Sequence, residues 1–104
     1  MAERSDIPKY SLRLSSSFLK AVKRLTSRNQ ELAVKVEKTL QLLGKDPFYS
    51  SLRTHKVRTR VNGEFWVSYV TGDVRISWDF AENVPTVISV FRIGGHSGGA
   101  KIYK

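Results

Sequence analysis

The hydrophobic positions change period near residue 46. Tyr10-Ser11-Leu12-Arg13-Leu14 alternates and predicts a short strand, with Tyr10, Leu12 and Leu14 on one face. Phe18, Leu19, Val22 and Leu25 then recur at helical spacing behind candidate caps Ser15, Ser16 and Ser17, predicting a helix that ends near Thr26. Ser27 and Gln30 have the spacing of a capping box for a second helix, with Asn29 a rival cap. Leu32, Val36, Leu40 and Leu43 form its apolar stripe, Gly44 is the expected C-terminal cap, and Pro47 prevents continuation.

From Asp46 onward turn residues separate β-rich runs. Arg53 to Val61 reads as a basic loop or irregular strand, and Asn62-Gly63 is a turn signal. Glu64 to Val70 is the next strand candidate, followed by a Thr71-Gly72-Asp73 turn. Val74 to Phe80 alternates most cleanly, with Val74, Ile76, Trp78 and Phe80 on one face and Arg75, Ser77 and Asp79 on the other. Asn83 and Pro85 mark a further turn, and Thr86 to Ile93, the most apolar run, is the expected central strand. The pattern predicts an α+β fold: an N-terminal strand, an antiparallel helix hairpin, then a three- to four-stranded antiparallel sheet. One domain spans 1–104, with a polar lead-in over 1–9 and a Gly-rich tail over 94–104. The helices would cover one sheet face and leave the other partly open.

Composition narrows the function. A chain of 104 residues suits one domain and excludes a two-domain cofactor enzyme. With no cysteine there are no disulfides, thiolate metal sites or cysteine nucleophiles. Two histidines and nine scattered acids argue against a transition-metal site, and no cofactor is expected. The net charge of +9 lies in the range of nucleic-acid binders, although a basic surface also suits anionic membranes or acidic protein partners. No apolar run is long enough to span a bilayer, and the first residues lack the apolar core of a signal peptide, so a soluble cytoplasmic protein without a membrane partner is expected.

Arg53-Thr54-His55-Lys56-Val57-Arg58-Thr59-Arg60 is the densest basic stretch and contains no acid. Arg53, Lys56, Arg58 and Arg60 are therefore candidate phosphate contacts, although a solvated basic loop would look the same. Trp66, Tyr49 and Phe65 lie nearby and could stack on unpaired bases. Core packing is the other reading of both, and strand alternation puts Phe65 and Trp66 on opposite faces, so at most one can serve each role. Arg75, on the open face of the cleanest strand, is either an ordinary surface cation or an anion contact. His55 and His96 are the only histidines, and together would suit acid–base chemistry if the fold joined them.

Four features in this order resemble the RelE/ParE toxin superfamily, above all its YafQ-like branch: Arg53-Thr54-His55-Lys56-Val57, Gly72-Asp73-Val74-Arg75-Ile76, Ile93-Gly94-Gly95-His96 and a terminal Tyr103. The resemblance implies a RelE-like, microbial-ribonuclease-like fold and the toxin of a type II toxin–antitoxin pair. Such a toxin cuts messenger RNA in the ribosomal A site without a metal, and a cognate antitoxin holds it in check. It implies His55, Asp73, Arg75 and His96 as catalytic residues: His55 or Asp73 as base, His96 as acid, Arg75 with Lys56 stabilising the phosphorane. Arg53, Arg58, Arg60 and Tyr103 would contact RNA. Where YafQ-like toxins carry a further histidine this chain has Tyr69, and Gly95 replaces their threonine. A ParE-like gyrase inhibitor and a non-catalytic RNA-binding module are the alternatives.

Overall fold

The computed structural model describes residues 9–95. They form a mixed α+β structure in which β1 (Ser11–Leu14) leads into helices α1 (Ser16–Thr26) and α2 (Gln30–Lys45). A 3-10 turn (Ser50–Leu52) precedes β2 (His55–Thr59), β3 (Gly63–Tyr69), β4 (Val74–Ala81) and β5 (Val84–Gly95). The sheet order is β1-β5-β4-β3-β2. β2 to β5 form the expected antiparallel meander, while β1 joins parallel to β5 with Leu12 opposite Ile88. That parallel pairing needs a crossover, and the helix hairpin begins it.

The helices start where short polar side chains satisfy unpaired backbone N–H groups. Ser15 Oγ accepts from Phe18 N at 3.0 Å, and Asn29 Oδ1 accepts from Leu32 N at 3.0 Å. Asn29, not Ser27, therefore caps α2. Gly44 is not the C-terminal cap: α2 runs on to Lys45, Asp46 follows, and Gly44 is buried inside the last turn. Its carbonyl accepts from both Lys9 N and Tyr10 N at 2.9 Å, which ties the segment leading into β1 to the end of α2.

Phe18, Val36 and Leu43 from the helices pack with Ile76, Trp78, Ile88, Val90 and Ile93 from the sheet, as the periodicity requires. The opposite face is not bare. Phe65 and Val67 are buried there with Val57 and Phe91 against them, forming a second small cluster. The register shifts by one residue between Ser77 and Trp78, leaving Phe91 without an opposing partner as in a β-bulge, so that Phe91 and Arg92 both turn to that face.

Four further expectations change. Of the two readings of the basic stretch, loop or irregular strand, the strand holds, and it is a regular edge strand over His55–Thr59. β5 is internal, but β4 occupies the middle of the sheet. Gly94 and Gly95 belong to β5, opposite Arg75 and Val74, so the Gly-rich tail does not begin at 94. Pro85 lies inside β5, and the turn before it is made by Asn83, whose φ of 67° is left-handed. Among the described residues no helix is long and apolar enough to cross a membrane.

Candidate active site

The strand registers place the candidate residues. His55 pairs with Val67, Val67 with Ser77, and Ser77 with Arg92, which makes one cross-strand row. The adjacent row runs from Tyr69 through Arg75 to Gly94. Side chains at paired positions share a face, so His55, Tyr69, Arg75 and Arg92 all lie on the face away from the helices. Tyr69 is at the centre. Its ring centroid is 4.3 Å from the Arg75 guanidinium carbon, 5.6 Å from that of Arg53 and 6.0 Å from the His55 ring.

The approach to β2 is unusually well fixed. Trp78 Nε1 donates to Ser68 Oγ at 2.8 Å, Ser68 and Thr54 hydroxyls are 2.7 Å apart, and Thr54 Oγ1 donates to the Pro47 carbonyl at 2.6 Å. Thr54 is thereby anchored on the helix side, so its neighbours Arg53 and His55 emerge on the other. Arg53 adopts a left-handed backbone with φ 51° and ψ 37°, which is strained for a residue with a side chain. Its carbonyl faces His55 Nδ1 at 3.0 Å. A carbonyl can only accept, so Nδ1 carries the proton, and in the neutral ring Nε2 keeps its lone pair. The imidazole is thus oriented with a basic nitrogen available.

Not every expected residue joins this cluster. Lys56 and Arg58 point to the other face of β2, opposite Trp66 and Glu64. Lys56 Nζ lies 4.7 Å from the Trp66 ring and 3.7 Å from Glu64 Oε1. Arg58 hydrogen-bonds Glu64 through Nε at 2.8 Å and also through Nη2. The Arg58 hydrogen bond, followed by the charges of Arg58 and Lys56, holds the exposed Glu64 carboxyl below the usual range. The basic stretch contains no acid in sequence, yet β3 brings one to it. Arg60 is exposed beyond the end of β2. Asp73 lies in the β3–β4 turn, lining a shallow pocket of about 240 Å³ with Asn29, Leu32 and Lys35 of the α2 start. His96 and Tyr103 lie outside the described residues.

Trp66 and Phe65 do face opposite sides. Trp66 stacks on Trp78 with centroids 6.0 Å apart, and Phe65 packs edge-on against Phe91 at 5.9 Å. Tyr49 is exposed, as is Phe48, whose ring meets Trp66 at 5.0 Å. Two residues of this face were not among the expected site residues, although Tyr69 stands where YafQ-like toxins carry a histidine. Tyr69 follows from mirroring Arg75 across the Thr71-Gly72-Asp73 turn, a pairing the pattern does contain. Arg92 had no such signal, because the bulge at Phe91 decides which face it takes. Arg92 Nη2 donates to Asn62 Oδ1 at 3.2 Å.

No protein-family model and no curated protein matches the sequence. Solved structures do. The YoeB/ParE toxin from Agrobacterium tumefaciens superposes with a TM-score of 0.69 over 84% of this chain and 99% of its own, at 11% identity. RelE–RelB from Pyrococcus horikoshii gives 0.67 over 88% and 99%, at 13% identity. E. coli DinJ–YafQ gives 0.65 over 84% and 93%, at 19% identity. The chain has the RelE/ParE toxin fold. Within this RelE/ParE frame, the cluster occupies the sheet face that the helix hairpin leaves uncovered. Among the described residues no group of three or more His, Asp or Glu could hold a metal ion. The arrangement offers an oriented imidazole beside guanidinium groups, which suits proton transfer next to a phosphate.

Proposed function

We propose that this chain is the toxin of a type II toxin–antitoxin system and acts as a ribosome-dependent endoribonuclease that cleaves messenger RNA in the A site. The observation that carries the reading is the shared face of His55, Tyr69 and Arg75, with Nε2 of His55 left as a base. In this scheme Nε2 takes the 2′-hydroxyl proton. The 2′-oxygen bonds to phosphorus, the bond to the 5′-oxygen breaks, and His96 protonates that leaving oxygen. The products are a 2′,3′-cyclic phosphate and a 5′-hydroxyl. Arg75 grips the non-bridging oxygens, where negative charge grows in the transition state.

Asp73 is the second candidate base. Asp73 lines the pocket beside the start of α2, whereas the His55 ring lies 6.0 Å from that of Tyr69 with its Nδ1 held by the Arg53 carbonyl, which favours His55 for the role. Arg53 approaches the same phosphate, while Lys56, Arg58, Arg60 and Tyr103 are left to track RNA beyond the reacting group. The working compartment is the cytoplasm, with ribosomal RNA the second nucleic-acid contact. A basic chain of +9 suits docking there. The similar E. coli DinJ–YafQ toxin–antitoxin complex supports a cognate antitoxin as the protein partner.

The test is induction of the chain in cells, with transcript ends mapped and DNA supercoiling measured in parallel. New 5′ ends within translated messages, lost with His96→Ala or Arg75→Ala, are expected. Blocked supercoiling with intact messages would instead identify a gyrase inhibitor. RNA binding that survives His96→Ala, with no new ends from the parent chain, would identify a non-catalytic module.

A further inference from the structure

Tyr69 sits at the centre of the cationic cluster yet carries out no step of the scheme above. Its surroundings define a role for it. The Arg75 guanidinium comes from β4 at 4.3 Å, and Arg53 comes from the approach to β2 at 5.6 Å. Two cations gathered against one ring repel one another, and arginine side chains are long and rotamer-rich. An aromatic ring counters both problems, because its negative face attracts guanidinium groups and limits the directions they can take.

We propose that Tyr69 is a positioning residue whose ring holds Arg53 and Arg75 at a fixed spacing, so that both engage one RNA phosphodiester. The proposal rests on the ribonuclease reading of this face. Arg53 is already restrained at its backbone by the left-handed conformation and by the hydrogen bond that its carbonyl accepts from His55. The ring then settles where its head group goes. Arg75 reaches the ring from β4, directly opposite Tyr69 in the register. A phosphodiester presents two non-bridging oxygens, and a pair of planar donor forks matches them better than a single fork can. What Tyr69 supplies is the face of its ring and not its hydroxyl, which makes the proposal separable from a proton-transfer role.

The test compares Tyr69→Phe with Tyr69→Leu in the full chain. Two readouts are needed: affinity for a 2′-O-methylated single-stranded oligoribonucleotide, which cannot be cleaved, and messenger cleavage on ribosomes. Tyr69→Phe should stay within about twofold of the parent in both, because the ring face remains. Tyr69→Leu should weaken oligonucleotide binding on the order of tenfold and slow cleavage at least as much. Nitrogen-15 spectra should show the Arg75 Nε–H signal moved in Tyr69→Leu and not in Tyr69→Phe. Parent-like binding by Tyr69→Leu would overturn the proposal. So would cleavage by Tyr69→Phe as poor as by Tyr69→Leu, which would put the hydroxyl in the chemistry. If Tyr69→Leu unfolds, Tyr69→Met repeats the comparison without a ring face. If the parent chain cleaves nothing but Tyr69→Leu still loses affinity and Tyr69→Phe does not, the positioning role stands and only the ribonuclease reading falls.

Discussion

On the helix-covered face of the sheet, Ile76, Trp78 and Ile88 are sealed against Phe18, Val36 and Leu43. On the other face the alternate residues of the same strands are Tyr69, Arg75 and Arg92, above a small cluster of Phe65 and Val67. One strand thus serves two ends, since successive side chains point to opposite sides. The covered face gains stability from apolar burial. The other face gathers cations and aromatic rings at a cost in repulsion that a pure folding unit would avoid. The lesson is that the chemistry is mounted on the rigid part of the molecule, one residue out of phase with its core.

The largest expected effects break the second face alone. His55→Ala and Arg75→Ala should each cut messenger cleavage about 100- to 10,000-fold, the usual range for an acid–base group or a preorganised charge. Neither should lower the melting temperature appreciably, because neither residue belongs to the main core. Primer extension and thermal melts on the same preparations check both halves. Cleavage that persists in either variant would remove that residue from the mechanism. A collapse in melting temperature would show that the two faces are not separable.

Trp78→Ala breaks the first face instead. Removing a fully buried indole should cost about 3–5 kcal/mol in denaturant unfolding. Ser68→Ala is gentler and informative in a different way. It leaves the buried Trp78 N–H and the Thr54 hydroxyl without their shared partner, at about 1–3 kcal/mol. Thr54 separates Arg53 from His55, so cleavage should fall further than stability alone explains. Cleavage tracking the folded fraction would show that this hydrogen-bond chain supports the fold only.

These two faces also mark what the sequence makes legible. Residues 10–43 declare their elements because helical and alternating periods persist long enough to be recognised, and Ser15 and Asn29 are ordinary caps. The odd and even residues of β4 fall on their expected faces for the same reason. The placements that fail depend on contacts between distant segments. Nothing local to Arg58 reveals that Glu64 will cross the turn to pair with it, or that a bulge will put Phe91 and Arg92 on the working face. Gly44 has the composition of a cap, but the backbone of Lys9 and Tyr10, just before β1, uses its carbonyl instead.

Arg53→Gly sharpens the comparison with a smaller effect. Glycine adopts the left-handed conformation freely, so relief of strain and its own entropic cost should offset each other to within about 1 kcal/mol. The Arg53 guanidinium beside Tyr69 is nevertheless gone, and oligonucleotide affinity should fall on the order of tenfold at unchanged stability. Equal affinity would show that Arg53 is kept for its backbone alone.

The smallest expected effect concerns the edge strand, where the two faces meet. Glu64 engages both Lys56 and Arg58, which the charge pattern alone assigns to RNA. Its folded pKa lies below the unfolded one, so the pair's contribution to stability is complete above the ordinary glutamate value. It is lost as pH falls through the depressed value. Glu64 is exposed, so this contribution is small, and the melting curves of the parent and Glu64→Gln should converge in acid. At neutral pH the same substitution frees two cations. RNA binding should tighten a few-fold, and the slope of log K against log salt should steepen by about 0.7 for each additional phosphate that these cations neutralise. An unchanged slope would mean that Lys56 and Arg58 serve the strand edge and take no part in binding RNA.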